Sequence, residues 1–274
     1  MRKNNSARDQ LLVQKIAALK ESLLRLAPLV LAFSGGIDSA FVLKVAAGVL
    51  PRDKLLAVTV VSPISRRGAP EAARAWADRW GVNHTYLELD HLRWLEFVRN
   101  DSRRCYYCKR NMYGHLLNLA RERGFRTLVD GTQADDLQED RPGLEAIREL
   151  GVKTPLLEAG LDKDEILRSF SLMEMSPPYR FSGPCLATRI PTGVPISRTA
   201  LDMVAEAEER LLPFGFQTLR VRYHGELARI EVLREDFARL INLADEIVYE
   251  VKRVGFKYVS LDLEGWRRKL KKEE

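Results

Sequence analysis

The chain has few of the residues that hold a protein together from outside its core. Three cysteines among 274 residues do not make a disulfide framework. There is no apolar run of about 18 residues, so no transmembrane helix is expected. No internal repeat and no low-complexity tract appears. The N-terminal stretch starts basic but has no signal-peptide core, and Leu12, Ile16, Leu19 and Leu23 follow a helical stripe instead. A cytoplasmic location is the expectation. The pattern GxxxxGK[ST] is also missing, which excludes the Walker type of phosphate loop.

What remains is an ordinary globular composition, 46% hydrophobic and 30% charged, with a length that suits one large domain or two smaller ones. The net charge of +6 and pI near 9.2 favour an anionic partner, a nucleotide or RNA. Part of that charge sits in Arg267, Arg268, Lys269, Lys271 and Lys272, a run that reads equally well as a solvated helix end.

The most informative segment is LVLAFSGGIDS, Leu29 to Ser39. An apolar strand ends in a glycine pair, and a helix then starts with a carboxylate and a hydroxyl. Glycines let backbone amides approach an anion, and the helix N-terminus adds its positive dipole. This is a phosphate cradle, and SGGxDS resembles the PP-loop of ATP pyrophosphatases, which release pyrophosphate and leave an adenylated substrate. Ser34, Gly35, Gly36, Asp38 and Ser39 are therefore the expected ATP-binding residues.

Around it, β-rich runs (Leu29–Phe33, Leu55–Val61, Thr85–Leu89, Thr127–Val129) alternate with helical ones (Asp38–Val49, Pro70–Trp80, Tyr107–Glu122, Asp162–Phe170). Such alternation predicts βαβ units on a parallel sheet, with ligands at the carboxyl ends of the strands. Asp162 and Glu165 form a candidate capping pair. The Pro- and Gly-rich stretch 176–198 reads as a long loop or domain boundary. After it come a helix (Thr199–Leu212), strands Thr218–Tyr223 and Leu227–Leu233 about a His224-Gly225 turn, a helix (Asp236–Val254) and a strand (Tyr258–Leu263). The fold class expected is α/β: a parallel-sheet domain over residues 1–190, followed by a small α+β domain over 191–274.

A second strand end carries Asp130-Gly131-Thr132-Gln133-Ala134-Asp135-Asp136. Paired carboxylates beside a phosphate loop suit Mg2+, which takes oxygen ligands shared with substrate phosphates. With SGGIDS, this element resembles the second one of PP-loop enzymes related to NAD and GMP synthetases. Lys163 resembles their pyrophosphate-binding lysine, so Gly131, Asp135 and Lys163 join the expected ATP site.

Cys105 and Cys108 form a CxxC at the mouth of a helix, and Cys185 lies far downstream in the Pro/Gly loop. The helix dipole with Arg103, Arg104 and Lys109 favours thiolates. Three readings stand: a zinc site with His115 as a further ligand, a dithiol–disulfide pair, and an iron–sulfur cluster on three thiolates with one iron open.

The segments RCYYCKRNMYGHL, DGTQADDLQEDRPG, PCLATRIPTG and RVRYHGELARIEV resemble the LarE family over nearly the whole chain. The resemblance implies an ATP-dependent sulfurtransferase for nickel-pincer nucleotide (lactate racemase) cofactor biosynthesis. It would adenylate the carboxylates of pyridinium-3,5-biscarboxylic acid mononucleotide and displace AMP with sulfur. One branch of the family sacrifices the cysteine matching Cys185. Three cysteines depart from that pattern and resemble the branch in which a 4Fe-4S cluster, here on Cys105, Cys108 and Cys185, carries the transferable sulfide. The resemblance further assigns catalytic roles to Cys185, Asp38 and Glu208. It places Arg220, Arg222, Glu208 and Glu231, with Arg189 nearby, around the substrate phosphate. Arg220 and Arg222 alternate along one strand face, a placement that suits bidentate anion capture. A homo-oligomer and an unidentified sulfur donor are also expected.

The competing readings are a PP-loop tRNA thiolase with an iron–sulfur cluster, sacrificial transfer from Cys185, and a non-enzymatic nucleotide-binding sensor. Against the tRNA enzyme stands the lack of an RNA-binding module or an aromatic-rich basic strip.

Overall fold

The computed structural model describes residues 2–138, 142–173 and 184–266. Part of the expected 176–198 loop and all of the basic run at 267–272 lie outside the described residues. In chain order the elements are α1 (Arg2–Leu26), β1 (Leu29–Ala32), α2 (Ile37–Val49), β2 (Leu55–Val61), α3 (Ala69–Arg79), β3 (Asn83–Glu88), α4 (Leu95–Val98), α5 (Arg104–Glu122) and β4 (Thr127–Val129). They continue as α6 (Pro142–Glu149), α7 (Pro155–Glu158), α8 (Lys163–Leu172), α9 (Arg198–Leu211), β5 (Leu219–His224), β6 (Leu227–Val232), α10 (Phe237–Asn242), α11 (Ala244–Arg253) and β7 (Tyr258–Leu261).

Two compact units emerge. The first comprises Met1–Ser62, Gly68–Leu89 and Cys105–Gly183; the second comprises Pro63–Arg67, Asp90–Arg104 and Pro184–Glu274. The second therefore takes two excursions from the first half of the chain as well as its C-terminal part.

The sheet of the first unit has the order β3-β2-β1-β4 and is parallel throughout, as the alternation of strands and helices predicts. β1, β2 and β4 are apolar because both faces are covered, whereas the edge strand β3, NHTYLE, is partly exposed. Successive residues of β1 face opposite layers: Leu29 and Leu31 join the core of α1, α2 and α8, while Val30 joins the core of α5 and α6. The chain runs outward from β1 to β3 and then returns to pair β4 with the other edge of β1. That reversal places the loops after β1 and β4 side by side, at the switch point where open α/β sheets take ligands.

The second unit carries a mixed three-stranded sheet, β5-β6-β7, with β5 antiparallel and β7 parallel to β6. Helix α9 packs on β5 and on α11. The single helix expected over 236–254 is divided. A 3-10 turn (Arg234–Asp236) leads into α10, and Leu243 leaves helical geometry at φ −103° and ψ 18° before α11 begins. Apolar residues continue at helical spacing on both sides of Leu243, so the period carries no sign of the break. Helix α6 was not expected either; it buries Gly143, Ala146 and Ile147. Among the described residues no helix is long and apolar enough to cross a membrane.

Candidate functional site

The glycine-rich turn is built by backbone geometry. Gly35 has φ +72°, and a Cβ there would stand 3.1 Å from the Cβ of Ala73 in α3. Only glycine suits that position. Gly36 caps α2 without a side-chain hydrogen bond, so the first-turn amides remain for an anion. A chain of hydroxyls stiffens the turn. The Gly36 amide donates to Ser34 Oγ at 3.2 Å, Ser39 Oγ donates to the Gly36 carbonyl at 3.0 Å, and the two serine oxygens lie 3.1 Å apart.

Behind the turn, Thr59 Oγ donates to the Phe33 carbonyl at 2.7 Å and lies 2.8 Å from His84 Nε2. Because the hydroxyl proton goes to Phe33, the histidine must donate, which fixes its proton on Nε2. Burial, reinforced by Arg74, pulls the His84 pKa down to about 4, with Asp78 opposing.

The carboxylate of the motif meets its partner across the fold. Lys163 Nζ donates to both oxygens of Asp38, at 2.7 and 2.9 Å, and the Lys163 backbone N–H donates to Asp135 at 3.2 Å. Burial raises the Asp38 pKa; Lys163 opposes the rise, while Asp136 and Asp135 add to it. Lys163 is placed by the start of α8, where Asp162 and Glu165 make the full capping box.

The β4 loop closes against α2. A Cβ on Gly131 would stand 2.7 Å from the Ser39 backbone nitrogen and 3.0 Å from its Cα. Asp130, 4% exposed, shapes this loop. It accepts from the Thr132 amide at 3.0 Å, from the Thr132 hydroxyl at 2.9 Å and from the Tyr113 hydroxyl at 2.7 Å. Tyr113 and the anchoring role of Asp130 were not singled out from sequence, because their bond joins α5 to the β4 loop.

The structure thus gathers Ser34, Gly35, Gly36, Asp38, Ser39, Gly131, Asp135 and Lys163 at the switch point of one sheet. The oxygen donors Asp38 and Asp135 suit Mg2+, a hard cation that completes its shell with phosphate oxygens and water.

Cys105 and Cys108 stand in the first turns of α5, the former exposed and the latter half-buried; Cys185, also half-buried, precedes the 3-10 turn Leu186–Arg189. Among the described residues no group of three or more His, Cys, Asp or Glu side chains is arranged to hold a metal ion.

In the second unit Arg189, only 1% exposed, pairs with Glu208 through Nε–Oε1 at 2.8 Å and Nη2–Oε2 at 3.2 Å. Glu208 also accepts from the Val221 amide at 3.2 Å and lies 3.6 Å from Arg66. Register pairs Arg220 with Glu231 and Arg222 with Arg229, so these four side chains share one sheet face. Arg222 grips Glu231 bidentately at 2.8 and 2.9 Å and also donates to the Thr188 carbonyl, and Arg229 reaches Glu231 at 3.1 Å. Arg189, Glu208, Arg220, Arg222 and Glu231 are thus brought together, joined by Arg66 and Arg229, which the sequence pattern did not reveal.

Their charges are not balanced locally. Arg220 stacks over Trp266, 5.5 Å from the ring centroid, and has no hydrogen-bond acceptor among the described residues. Burial, then the charges of Arg189 and Arg222, push its pKa down to about 10 against Glu231 and Glu208. A half-buried guanidinium without an acceptor is a ready seat for an anion. Arg189 and Glu208, by contrast, are engaged with one another and with Pro184, Thr188 and Val221, and hold the frame around it.

A family model for NAD synthase matches residues 13–102. An uncharacterized protein of Synechocystis is 34% identical over 94% of this chain and 96% of its own length. The pyridinium-3,5-bisthiocarboxylic acid mononucleotide synthase of Lactiplantibacillus plantarum is 32% identical over 93% of each chain. An uncharacterized protein of Methanocaldococcus jannaschii is 30% identical over 87% of this chain and 90% of its own. Identity of 32% over 93% of both chains shows that the chain belongs to the LarE family of ATP-using PP-loop enzymes.

Proposed function

We propose that the protein converts the carboxylates of pyridinium-3,5-biscarboxylic acid mononucleotide to thiocarboxylates at the expense of ATP, releasing AMP and pyrophosphate. The observation that carries this reading is the likeness to the Lactiplantibacillus synthase over 93% of both chains, which spans both units.

A carboxylate oxygen is too poor a leaving group to be exchanged directly for sulfur. In the first step a substrate carboxylate oxygen attacks the α-phosphorus of ATP, and the bond to the β-phosphate oxygen breaks. Pyrophosphate departs with that electron pair. Ser34, Gly35, Gly36 and Ser39 hold the departing end with backbone amides and hydroxyls, and Lys163 turns from Asp38 toward it. Asp38, with Asp135, would hold Mg2+, which supplies charge neutralisation on the phosphates. In the second step a sulfide-level sulfur nucleophile donates its electron pair to the acyl carbon, and AMP leaves with the bridging oxygen and the electron pair of the broken C–O bond. Catalysis by this chain is then mainly placement and charge stabilisation. Arg220 takes the substrate's phosphate, within the frame set by Arg222, Glu231, Arg189 and Glu208.

For the sulfur source we propose Cys105, Cys108 and Cys185, as ligands of a 4Fe-4S cluster. This rests on the presence of three cysteines and on thiolate chemistry, three thiolates leaving one iron open. Anaerobic purification with iron and sulfide quantified, followed by the mass of Cys185 after turnover, tests it. An intact thiol with bound iron and sulfide agrees; dehydroalanine at Cys185 replaces it with sacrificial transfer.

The test of the main reading is pyrophosphate release from ATP with the pyridinium mononucleotide or with tRNA. Release with the mononucleotide supports it. Release only with tRNA assigns the chain to tRNA thiolation, and binding without release would mark a sensor.

A further inference from the structure

We infer that Asp130 is a positioning residue that couples the nucleotide loop to the helix bearing Cys105 and Cys108. The inference rests on the proposed function only for the use to which those thiols are put.

On its loop side, Asp130 fixes the turn through the Thr132 amide and hydroxyl. The next residue, Gly131, runs so close to Ser39 that even a methyl group would meet its backbone. On its other side, Asp130 accepts from Tyr113 at 2.7 Å and lies 3.9 Å from the ammonium of Lys109. Burial, then the charge and hydrogen bond of Asp130, raise the Tyr113 pKa well above the usual phenol value, so the hydroxyl remains a donor.

Lys109 and Tyr113 are four residues apart on α5, and Cys105 is one further step of four along the same stripe. Lys109 follows Cys108 directly. Its stem passes the main chain of α6 at Gly143, where a Cβ would stand 3.0 Å from Lys109 Cδ. One carboxylate therefore holds the phosphate-side turn and the thiol-bearing face of α5. A shift of the turn on nucleotide binding has a short, packed route to the cysteines: Ser39, Gly131, Asp130, Lys109 and Tyr113.

The second hold on the start of α5 is separate. Tyr106 donates to Glu149 of α6 at 2.8 Å, a hold that is separate from the Asp130 bonds to Thr132 and Tyr113. That provides a control.

The experiment measures alkylation of Cys105 and Cys108 in the iron-free full chain, where no cluster blocks either thiol, mapped by peptide mass with and without a non-hydrolysable ATP analogue. It needs neither the pyridinium substrate nor a sulfur donor, so its failure is distinct from failure of the proposed reaction. In the wild type the analogue should change the rate at one or both thiols at least about fivefold, the lower end of ordinary site-to-site coupling. Asp130→Asn should bind the analogue and lose that change, and Glu149→Gln should keep it. If Asp130→Asn fails to fold, Lys109→Gln and Tyr113→Phe decide, each expected to reduce the change. An unresponsive wild type, an Asp130→Asn protein that responds in full, or equal loss in Glu149→Gln would overturn the assignment.

Discussion

Replacing Gly131 by alanine probes the switch point at a single atom. The added Cβ would stand 2.7 Å from Ser39 N, 3.0 Å from Ser39 Cα and 3.1 Å from the Asp38 carbonyl carbon. All three are backbone atoms in the first turn of α2, so no side chain can swing aside. Reaching ordinary contact requires the loops to part by about 0.7 Å, and well-packed sites lose about 1–3 kcal/mol to such overpacking. The same displacement moves Ser39 and Asp38 relative to the β4 loop, and misplacement of about 1 Å costs roughly 100-fold in rate. Pyrophosphate release at varied ATP should show kcat/KM reduced by about 10- to 100-fold, with a lower midpoint in thermal unfolding. Gly48→Ala is the reference of opposite sign. Gly48 lies in α2 with nothing within 4 Å of an added Cβ, so alanine there should stabilise by about 0.5–1 kcal/mol and leave kinetics alone. A Gly131→Ala protein with wild-type kcat/KM would refute the claim that the two loops form one site.

Further expectations concern charge. Arg189→Met should cost about 3–5 kcal/mol in urea unfolding, because it leaves Glu208 buried without its main partner. Arg220→Met should instead hold or raise stability while weakening binding of the mononucleotide, since Arg220 has no acceptor of its own; a large loss of stability would refute that reading. His84, with its pKa drawn down to about 4 from 6.5, stays neutral in the fold. The unfolded chain binds the proton more readily, so stability should be complete above pH 6.5 and decline as pH falls toward 4. A His84→Gln variant should show a flatter pH profile across that window, and an unchanged profile would contradict the assignment.

How much of this was legible in the sequence depended on distance along the chain. Ser34 to Ser39 could be read because a strand end, two glycines and a helix start are consecutive, and their chemistry is local. The parallel sheet could be read from the alternation of apolar runs. Asp162 and Glu165 announced the start of α8, yet nothing in that signal said that Lys163 would grip Asp38. The Arg189–Glu208 pair was foreseen only as two members of a substrate site. Its bidentate geometry, and the contrast with an acceptor-free Arg220, come from packing α9 against β5. Arg66 and Tyr113 were missed because their partners lie in other elements, and Arg229 because its place beside Arg222 depends on strand register. The break at Leu243 was missed because a change of backbone angle leaves the apolar period intact.

The central claim is that ATP activates a carboxylate oxygen which sulfur then replaces. Substrate labelled with oxygen-18 in its carboxylates tests this most directly, by mass measurement of AMP and of the nucleotide product after turnover. The account predicts one labelled oxygen in AMP for every oxygen exchanged for sulfur, and none in pyrophosphate. Unlabelled AMP beside a thiolated product, or label retained in full by the nucleotide, would contradict it.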